Sequence, residues 1–442
     1  MRTRTIFIFN AAKWLLLFIV LVVAPLVIAV IGHEEESRGF WIEFGVGLGF
    51  VGLAMMGLQF VLTARYNRIG APFGIDELLN FHAQAGYVAW MFIMAHFSIL
   101  LVANPDFLEL LDPSENLFRT VALITVVISI CLLIAFTHWH EKIGLVYEWW
   151  RASHGFLAIL IMIIGTWHIT HISFYISEPW QQAIWVGMAT IVIGMLIHKR
   201  VIHPLIMKKR PYKVVSVKEE VEETWSVELK PVGHDGLHFK AGQFVWMTLG
   251  DTPYKLQQHP FTISSSPELK DKIRFTIKEL GDFTSEVKNI KIGTTAFIEG
   301  PYGNFTLSQS TSEHNVFIAG GIGITPIMSI LHTLKERKGE RKATLIFGNA
   351  SKDLTPFYDE LKELEAESNL KVVHVFEDPD DDWGGETGYI TPEIIRKHLP
   401  EDITKCDYFV CGPAPMMDVA EGALRDWGVP VHRVHSERFN II

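Results

Sequence analysis

Polar positions are sparse through the first 200 residues and gather into short islands between six apolar runs, at 6–31, 42–64, 81–103, 117–139, 152–175 and 180–198. Each run is long enough to cross a hydrocarbon core of about 30 Å as a helix. The first is too long for a signal peptide, and no small-residue cleavage site precedes the polar stretch after it, so it reads as a span. Beyond residue 205 the pattern changes. Short alternating runs such as YKVVSVKEEV, TWSVELKPV and FVWMTLG, punctuated by turn residues, predict an antiparallel β-barrel over 211–310. From 313 to 442, buried strands such as NVFIAGG, ATLIFGN, KVVHVFE and DYFVCG alternate with helical segments, which predicts an α/β, Rossmann-like domain with a parallel sheet. The chain reads as multi-domain, with a six-helix transmembrane bundle over 1–205 ahead of two soluble domains.

The charges between the spans orient the bundle. Arg2, Arg4, Arg65, Arg68, Lys142, Arg151, Lys199, Arg200, Lys208, Lys209 and Arg210 fall on one side. The opposite loops, GHEEESRGFW, NPDFLELLDPSEN and SFYISEP, are acidic. The positive-inside rule then places both termini and the soluble domains in the cytoplasm, with the chain multi-pass in the inner (plasma) membrane.

Two spans carry the same polar exception. His82 and His96 lie fourteen residues apart in the third, and His154 and His168 fourteen apart in the fifth. Fourteen residues is close to four turns, so each pair shares one helix face, roughly 21 Å apart along the axis. Polar side chains inside hydrocarbon are costly and tend to be functional, and neutral imidazole is a good axial ligand for haem iron. Setting the helices side by side pairs His82 with His154 at the inner level and His96 with His168 at the outer level. The result is two stacked bis-histidine haem sites, an electron wire across the membrane. His171, about 60° round the helix from His168, is open between an alternative ligand, a propionate contact, an outer substrate site and a plain interfacial histidine. Arg119 is open between an anion contact and a snorkelling anchor.

Composition narrows the field further. A net charge of −10 without a clustered basic face speaks against nucleic-acid binding. Three cysteines, Cys131, Cys406 and Cys411, with no CxxC pair, speak against iron–sulfur clusters and structural zinc. In the soluble half, His259-Pro260-Phe261-Thr262-Ile263-Ser264 sets an aromatic beside hydroxyls, which suits a flavin ring and its polar edge. Gly281-Asp282-Phe283-Thr284-Ser285 opens a short helix whose free N–H groups suit a pyrophosphate. Gly320-Gly321-Ile322-Gly323-Ile324-Thr325-Pro326 leads from strand to helix, where glycines let the backbone approach a nucleotide phosphate, although the spacing is not GxGxxG. Cys411-Gly412-Pro413 sits at the carboxyl end of a strand, where open α/β sheets bind ligands.

Together, the paired histidines, HPFT, GGIGITP, CGP and the near-terminal SERF resemble the ferric reductase and NADPH oxidase superfamily of transmembrane flavocytochromes, in particular its stand-alone bacterial NADPH oxidases, from about residue 40 to residue 442. The resemblance implies that His82 and His154 hold an inner haem b, and His96 and His168 an outer one. It implies that His259, Pro260, Phe261, Thr262 and Ser264 bind FAD, with Thr262 near flavin N5, and that Gly281, Thr284 and Ser285 meet its pyrophosphate. Gly320, Gly321, Gly323, Thr325 and Pro326 would line the phosphates of NADPH or NADH, with Cys411, Gly412 and Pro413 near the nicotinamide. Glu437 and Phe439 match a C-terminal segment whose aromatic covers the flavin until nicotinamide displaces it. Lys352 is open between a contact to an NADPH 2′-phosphate and a solvated lysine. The implied enzyme is an oxidoreductase of NAD(P)H oxidase or ferric reductase type, moving electrons through FAD and two haems to a small-molecule acceptor on the outer face. Oxygen giving superoxide is the preferred acceptor; a ferric chelate, or a membrane or periplasmic partner protein, is the alternative. The lipid bilayer is the expected surrounding, with no nucleic acid and no obligatory protein partner.

Overall fold

The computed structural model describes residues 2–31, 36–66, 75–171, 174–310, 312–337 and 341–438. The chain forms two compact units whose main parts join in the sequence at Ile202 and His203, with residues 1–7 and 71–76 grouped with the later part.

The first unit is built from α1 (Arg2–Val30), α2 (Phe40–Thr63), α3 (Ile75–Ala103), α4 (Pro113–Trp139), α5 (Tyr147–His171) and α6 (Pro179–Ile197). All six are long and apolar enough to cross a membrane, and the protein is a multi-pass membrane protein. Phe50, Leu53, Met56, Ala85, Ala89, Ile161, Met162 and Trp185 pack inside, while Leu16, Val121, Ile128, Ile163 and Ile191 are exposed. Exposed apolar residues along α1, α4, α5 and α6 suit a lipid solvent, because in water they would form a large sticky surface.

Local chemistry sets the helix ends. Asp112 accepts from the Ser114 N–H at 2.8 Å and opens a first turn with Pro113; Asn116, non-helical at φ −157°, then caps the long part of α4, its Oδ1 accepting from the Arg119 N–H at 3.0 Å. Gln181, buried in α6, donates to the carbonyls of Ile28 and Ile31 at 3.0 Å each. Those groups at the end of α1 lack partners within their own helix. The fifth span ends at His171, four residues short of the sequence expectation. Pro179 requires an extended residue before it, Glu178, and begins a new helix. Tyr175 therefore falls in the connection, where its hydroxyl donates to Glu43 Oε2 (2.7 Å) and accepts from Arg38 (2.8 Å).

The second unit begins with α7 (His203–Lys208) and continues into a six-stranded antiparallel barrel. Its strands are β1 (Tyr212–Val221), β2 (Thr224–Pro231), β3 (Phe244–Leu249), β4 (His259–Thr262), β5 (Ile273–Lys278) and β6 (Thr295–Tyr302), in the order β4-β3-β6-β1-β2-β5. A bridge between Ile263 and Phe275 closes it. Val227, Leu229, Val245, Met247, Ile263 and Phe275 alternate inward along these strands and fill its centre. A short helix, α8 (Asp282–Ser285), follows β5.

The rest is a parallel sheet of β7 (His314–Gly320), β8 (Lys342–Asn349), β9 (Leu370–Phe376), β10 (Glu386–Thr387), β11 (Asp407–Cys411) and β12 (Val434–Ser436), in the order β10-β9-β8-β7-β11-β12. Helices α9 (Thr325–Glu336), α10 (Tyr358–Glu367), α11 (Pro392–His398) and α12 (Ala414–Asp426) connect the strands. The central strand β7 is buried on both faces, as helices on the two sides of a parallel sheet require.

A charged cluster ties sheet domain to barrel. Arg274 of β5 donates to Glu360 of α10 at 3.0 and 3.3 Å, and His332 of α9 lies 2.9 Å from the same carboxylate. Burial pushes the Glu360 carboxyl up, but the His332 hydrogen bond and the Arg274 charge outweigh it and hold the group at about 2. Because the folded value lies below the unfolded one, the stabilisation is present above about pH 4.5 and is lost as pH falls toward 2. The shift corresponds to about 3 kcal/mol. Glu360→Gln is expected to lower the melting temperature of the soluble half at pH 7 and to flatten its acid sensitivity between pH 4.5 and 2; an unchanged acid profile by circular dichroism would contradict the assignment.

Candidate functional site

Within the bundle, α3 and α5 bring the four histidines together in two pairs. The His82 and His154 rings have centroids 6.1 Å apart, and those of His96 and His168 are 6.5 Å apart. Two imidazoles ligating one metal from opposite sides place their centroids roughly 6.4 Å apart, with metal–nitrogen bonds of about 2.0 Å and about 1.2 Å from nitrogen to ring centre. Both pairs have that spacing. The outward nitrogens are consistent with it. His96 Nδ1 lies 2.9 Å from the Gly45 carbonyl and His154 Nδ1 lies 3.2 Å from Thr137 Oγ1, which leaves each Nε2 for a ligand. His82 Nδ1 and His168 Nδ1 are buried with no hydrogen-bond partner among the described residues. Gly49 allows α2 to approach this array, because a Cβ there would stand 2.7 Å from His96 Nδ1. Among the described residues, no cluster of three or more His, Cys, Asp or Glu side chains gathers to hold an isolated metal ion.

At the end of the bundle nearer His96, Arg38 lies over the Phe174 ring at 3.9 Å and is held by Tyr175, which also binds Glu43. Arg38 is the lone positive charge within the acidic stretch GHEEESRGFW, which is the signal that the sequence holds for it. Arg119 is spent on the carbonyls of Leu110 (3.1 Å) and Glu109 (3.0 Å), so it caps a helical turn of its own loop. His171 is exposed, with Nδ1 at 3.0 Å from the Trp167 carbonyl.

In the barrel, His259 stacks on Phe283 with centroids 4.2 Å apart, and Phe261 lies 5.9 Å from the same ring. Phe283 thus joins β4 to α8 in one aromatic wall, although the two segments are over twenty residues apart. Pro260 occupies β4 between the two rings, and Thr262 is buried at its end. Ser264 is fully buried with its hydroxyl on the Arg274 carbonyl and Thr276, both at 3.1 Å, so its side chain clamps strands together. Thr284 Oγ1 accepts from the N–H groups of Leu280 (2.8 Å) and Gly281 (2.9 Å), and Ser285 donates to the Gly281 carbonyl (2.9 Å). These hydroxyls fold the turn that Gly281 opens.

The sheet domain has a cleft of about 790 Å³ at the carboxyl ends of its strands, lined by Gly320, Gly321, Asn349, Glu377 and Pro413 among others. Gly323 and Gly412 make it possible. A Cβ on Gly323 would stand 2.4 Å from the Cys411 carbonyl oxygen, and one on Gly412 would stand 2.8 Å from the Gly320 nitrogen. Thr325 and Pro326 are buried at the start of α9, where Thr325 Oγ1 donates to the Ile322 carbonyl at 3.1 Å. Cys411 is fully buried, and burial followed by the nearby Glu437 carboxylate pushes its thiol well above the usual range. Its sulfur is enclosed in the core beneath the sheet. Glu437 is buried against the barrel turn at Gly303, and Phe439 lies outside the described residues. Lys352 sits over the Tyr358 ring at 5.4 Å, outside the residues lining the cleft.

Residues 48–165 match the ferric reductase like transmembrane component, residues 207–306 an FAD-binding domain, and residues 317–422 an oxidoreductase NAD-binding domain. In this order they give the chain the architecture of the ferric reductase and NADPH oxidase superfamily. The half of the chain that follows the bundle thus carries an FAD-binding domain and then an oxidoreductase NAD-binding domain. It is 35% identical over 148 residues to NADH-cytochrome b5 reductase 1 of Debaryomyces hansenii, covering 33% of this chain and 52% of that one. It is 29% identical over 238 residues to the reductase component of propane 2-monooxygenase from Mycolicibacterium goodii, covering 51% of this chain and 66% of that one. The chain spans about half the length of the first of these relatives. Among solved structures, the flavohaem-like FAD/NAD-binding domain of nitric oxide dioxygenase from Vibrio cholerae shows 23% identity and a TM-score of 0.47, over 52% of this chain and 98% of that one.

Proposed function

We propose that the protein takes electrons from NAD(P)H and carries them across a membrane through FAD and two haems to a small acceptor on the far face. The observation that carries the reading is the pair of facing imidazoles at each of two levels, 6.1 and 6.5 Å apart. When bound, FAD accepts a hydride and the haems pass single electrons. The chain supplies position. His82 and His154 would hold the inner haem, His96 and His168 the outer, and the Gly45 carbonyl and Thr137 hydroxyl orient two of the four rings. His259, Phe261 and Phe283 offer a flat aromatic wall for the flavin half, and Gly320 and Gly321 present backbone to the nucleotide phosphates. The basic loop residues favour a cytoplasmic soluble half.

With His82, His154, His96 and His168 all committed to holding haem, oxygen would be reduced to superoxide without a direct bond to iron, and Arg38 would supply a cation at the outer end of the bundle for the anionic product. A ferric-chelate reductase is the second reading, favoured by the exposed carboxylates of Asp106, Glu109, Asp112 and Glu115 on one outer loop. The test is anaerobic reduction of the FAD- and haem-loaded protein by NADH or NADPH, followed by rapid mixing with oxygen or ferric citrate while the haem α-band is recorded. Two haems per chain and fast reoxidation by oxygen, with superoxide removed by dismutase, support the oxidase. Fast reoxidation by ferric citrate alone moves the reading to the reductase. One haem per chain, or none, sinks both.

A further inference from the structure

We propose that the nucleotide cleft selects NADH over NADPH and that Glu377 is the selecting residue. The inference rests on the proposed entry of electrons from NAD(P)H and concerns which of the two nucleotides supplies them. Sheet order decides which end of the nucleotide goes where. The central strand β7 ends in Gly320 and Gly321, which line the cleft ahead of the turn into α9, the place for a pyrophosphate. Strand β11, ending at Cys411 with Pro413 and Met416 in the lining, lies on one side of β7; β8 and β9 lie on the other. A dinucleotide with its nicotinamide at the β11 end therefore sets its adenosine over β8 and β9.

Glu377 follows the last residue of β9 and lines the cleft at that end. Its backbone is fixed, because the Glu377 N–H donates to the Asn349 carbonyl (3.1 Å) and the Asp378 N–H to the Ala350 carbonyl (2.8 Å). A carboxylate at this place accepts a hydrogen bond from an adenosine ribose 2′-hydroxyl and repels a 2′-phosphate. Asp378, Asp380, Asp381 and Asp382, all exposed, add to the negative field of the same loop. Among the described residues lining the cleft, the cation is Lys278. It sits on barrel strand β5, paired across strands with Thr224, next to Glu222 and Glu223 of the same rim. Lys352, the lysine nearest in sequence to the end of β8, rests on Tyr358 instead. The adenosine end thus has a carboxylate acceptor for a hydroxyl, and the side-chain donors beside it, the Asn349 amide and the Tyr389 hydroxyl, are neutral, with no cation for a phosphate there among those residues.

The experiment measures bleaching of the bound flavin in the full-length protein under anaerobic conditions, with NADH and with NADPH, in the wild type and in Glu377→Gln and Glu377→Lys. Flavin reduction precedes any haem or outer acceptor, so the readout is independent of the last step. The wild type is expected to favour NADH by roughly a hundredfold in the second-order rate. Glu377→Gln should narrow that ratio at least tenfold, and Glu377→Lys should bring it near one. Glu377 is exposed, so both variants are expected to fold; FAD content per chain checks it. A wild type that favours NADPH, or a ratio that charge reversal leaves unchanged, overturns the inference while leaving electron entry from a nicotinamide intact. Failure of both nucleotides to bleach the flavin overturns the electron-entry reading itself, and this inference with it.

Discussion

A His168→Ala chain is expected to bind one haem instead of two and to deliver no electrons to the far face above background. NADH should still bleach its flavin at the wild-type rate. The expectation follows from the pairing. His168 faces His96 at 6.5 Å, and no cluster of further His, Cys, Asp or Glu side chains gathers at that level among the described residues. His96 keeps its bond to the Gly45 carbonyl in the variant, so its ring stays oriented but has lost its counterpart across the site. The inner pair of His82 and His154 lies about four turns away on both helices and does not share those contacts. Haem content by pyridine haemochrome and a rapid-mixing trace of flavin and haem bands give the two readouts. His171→Ala is the control, since that ring is exposed and bonded to its own helix, and should retain both haems. A His168→Ala protein with two haems, or with wild-type acceptor turnover, would remove the outer pair from the electron path.

How much of this was legible in the sequence depends on the range of the contact involved. The histidine spacing is a helical period, so the positions of His82, His96, His154 and His168 on shared faces follow from counting alone. The spans, barrel and parallel sheet were legible for the same reason, since apolar periodicity is local. Contacts between distant segments were not. Phe283 joins His259 and Phe261 through a fold that brings α8 onto β4, and the run around it showed only glycine and hydroxyls as signals. Ser264 is expected at the flavin, and Thr284 and Ser285 at its pyrophosphate; the bonds that their hydroxyls make to backbone and strand neighbours are contacts that residue type does not reveal. Lys352 is the cation that follows β8 in the sequence, whereas the charged residue that lines the cleft past the ends of β8 and β9 is Glu377, one strand further on. Charge type is visible in a sequence; which rim it reaches is decided by sheet order.

Gly323→Ala is expected to cost the soluble half about 3 kcal/mol of stability and to abolish flavin reduction by nicotinamide nucleotides, with both haems retained. The added Cβ would stand 2.4 Å from the Cys411 carbonyl oxygen, 2.6 Å from its carbon and 2.7 Å from the Gly412 Cα. All three are backbone atoms, so no side chain can rotate away. Strands β7 and β11 are parallel neighbours with Ala319 opposite Cys411, which locks the two turns that follow them at this distance. Relief requires one turn to move, and both carry residues that line the nucleotide cleft, Gly320 and Gly321 on one and Pro413 on the other. Gly321→Ala gives the comparison. Its φ of +53° asks an alanine to adopt a left-handed conformation, at a cost of about 1 kcal/mol, but among the described residues no atom beyond its chain neighbours stands within 4 Å of the added Cβ. Its melting temperature should fall by less than half as much as that of Gly323→Ala. Calorimetry or near-ultraviolet circular dichroism reads the stability, and anaerobic flavin bleaching reads the function. A Gly323→Ala protein that melts with the wild type and bleaches at its rate would mean that the contact between the two turns does not shape the cleft. Loss of bleaching with stability intact would instead tie the glycine to the bound nucleotide itself, where a methyl group at the phosphates excludes the ligand without unsettling the sheet.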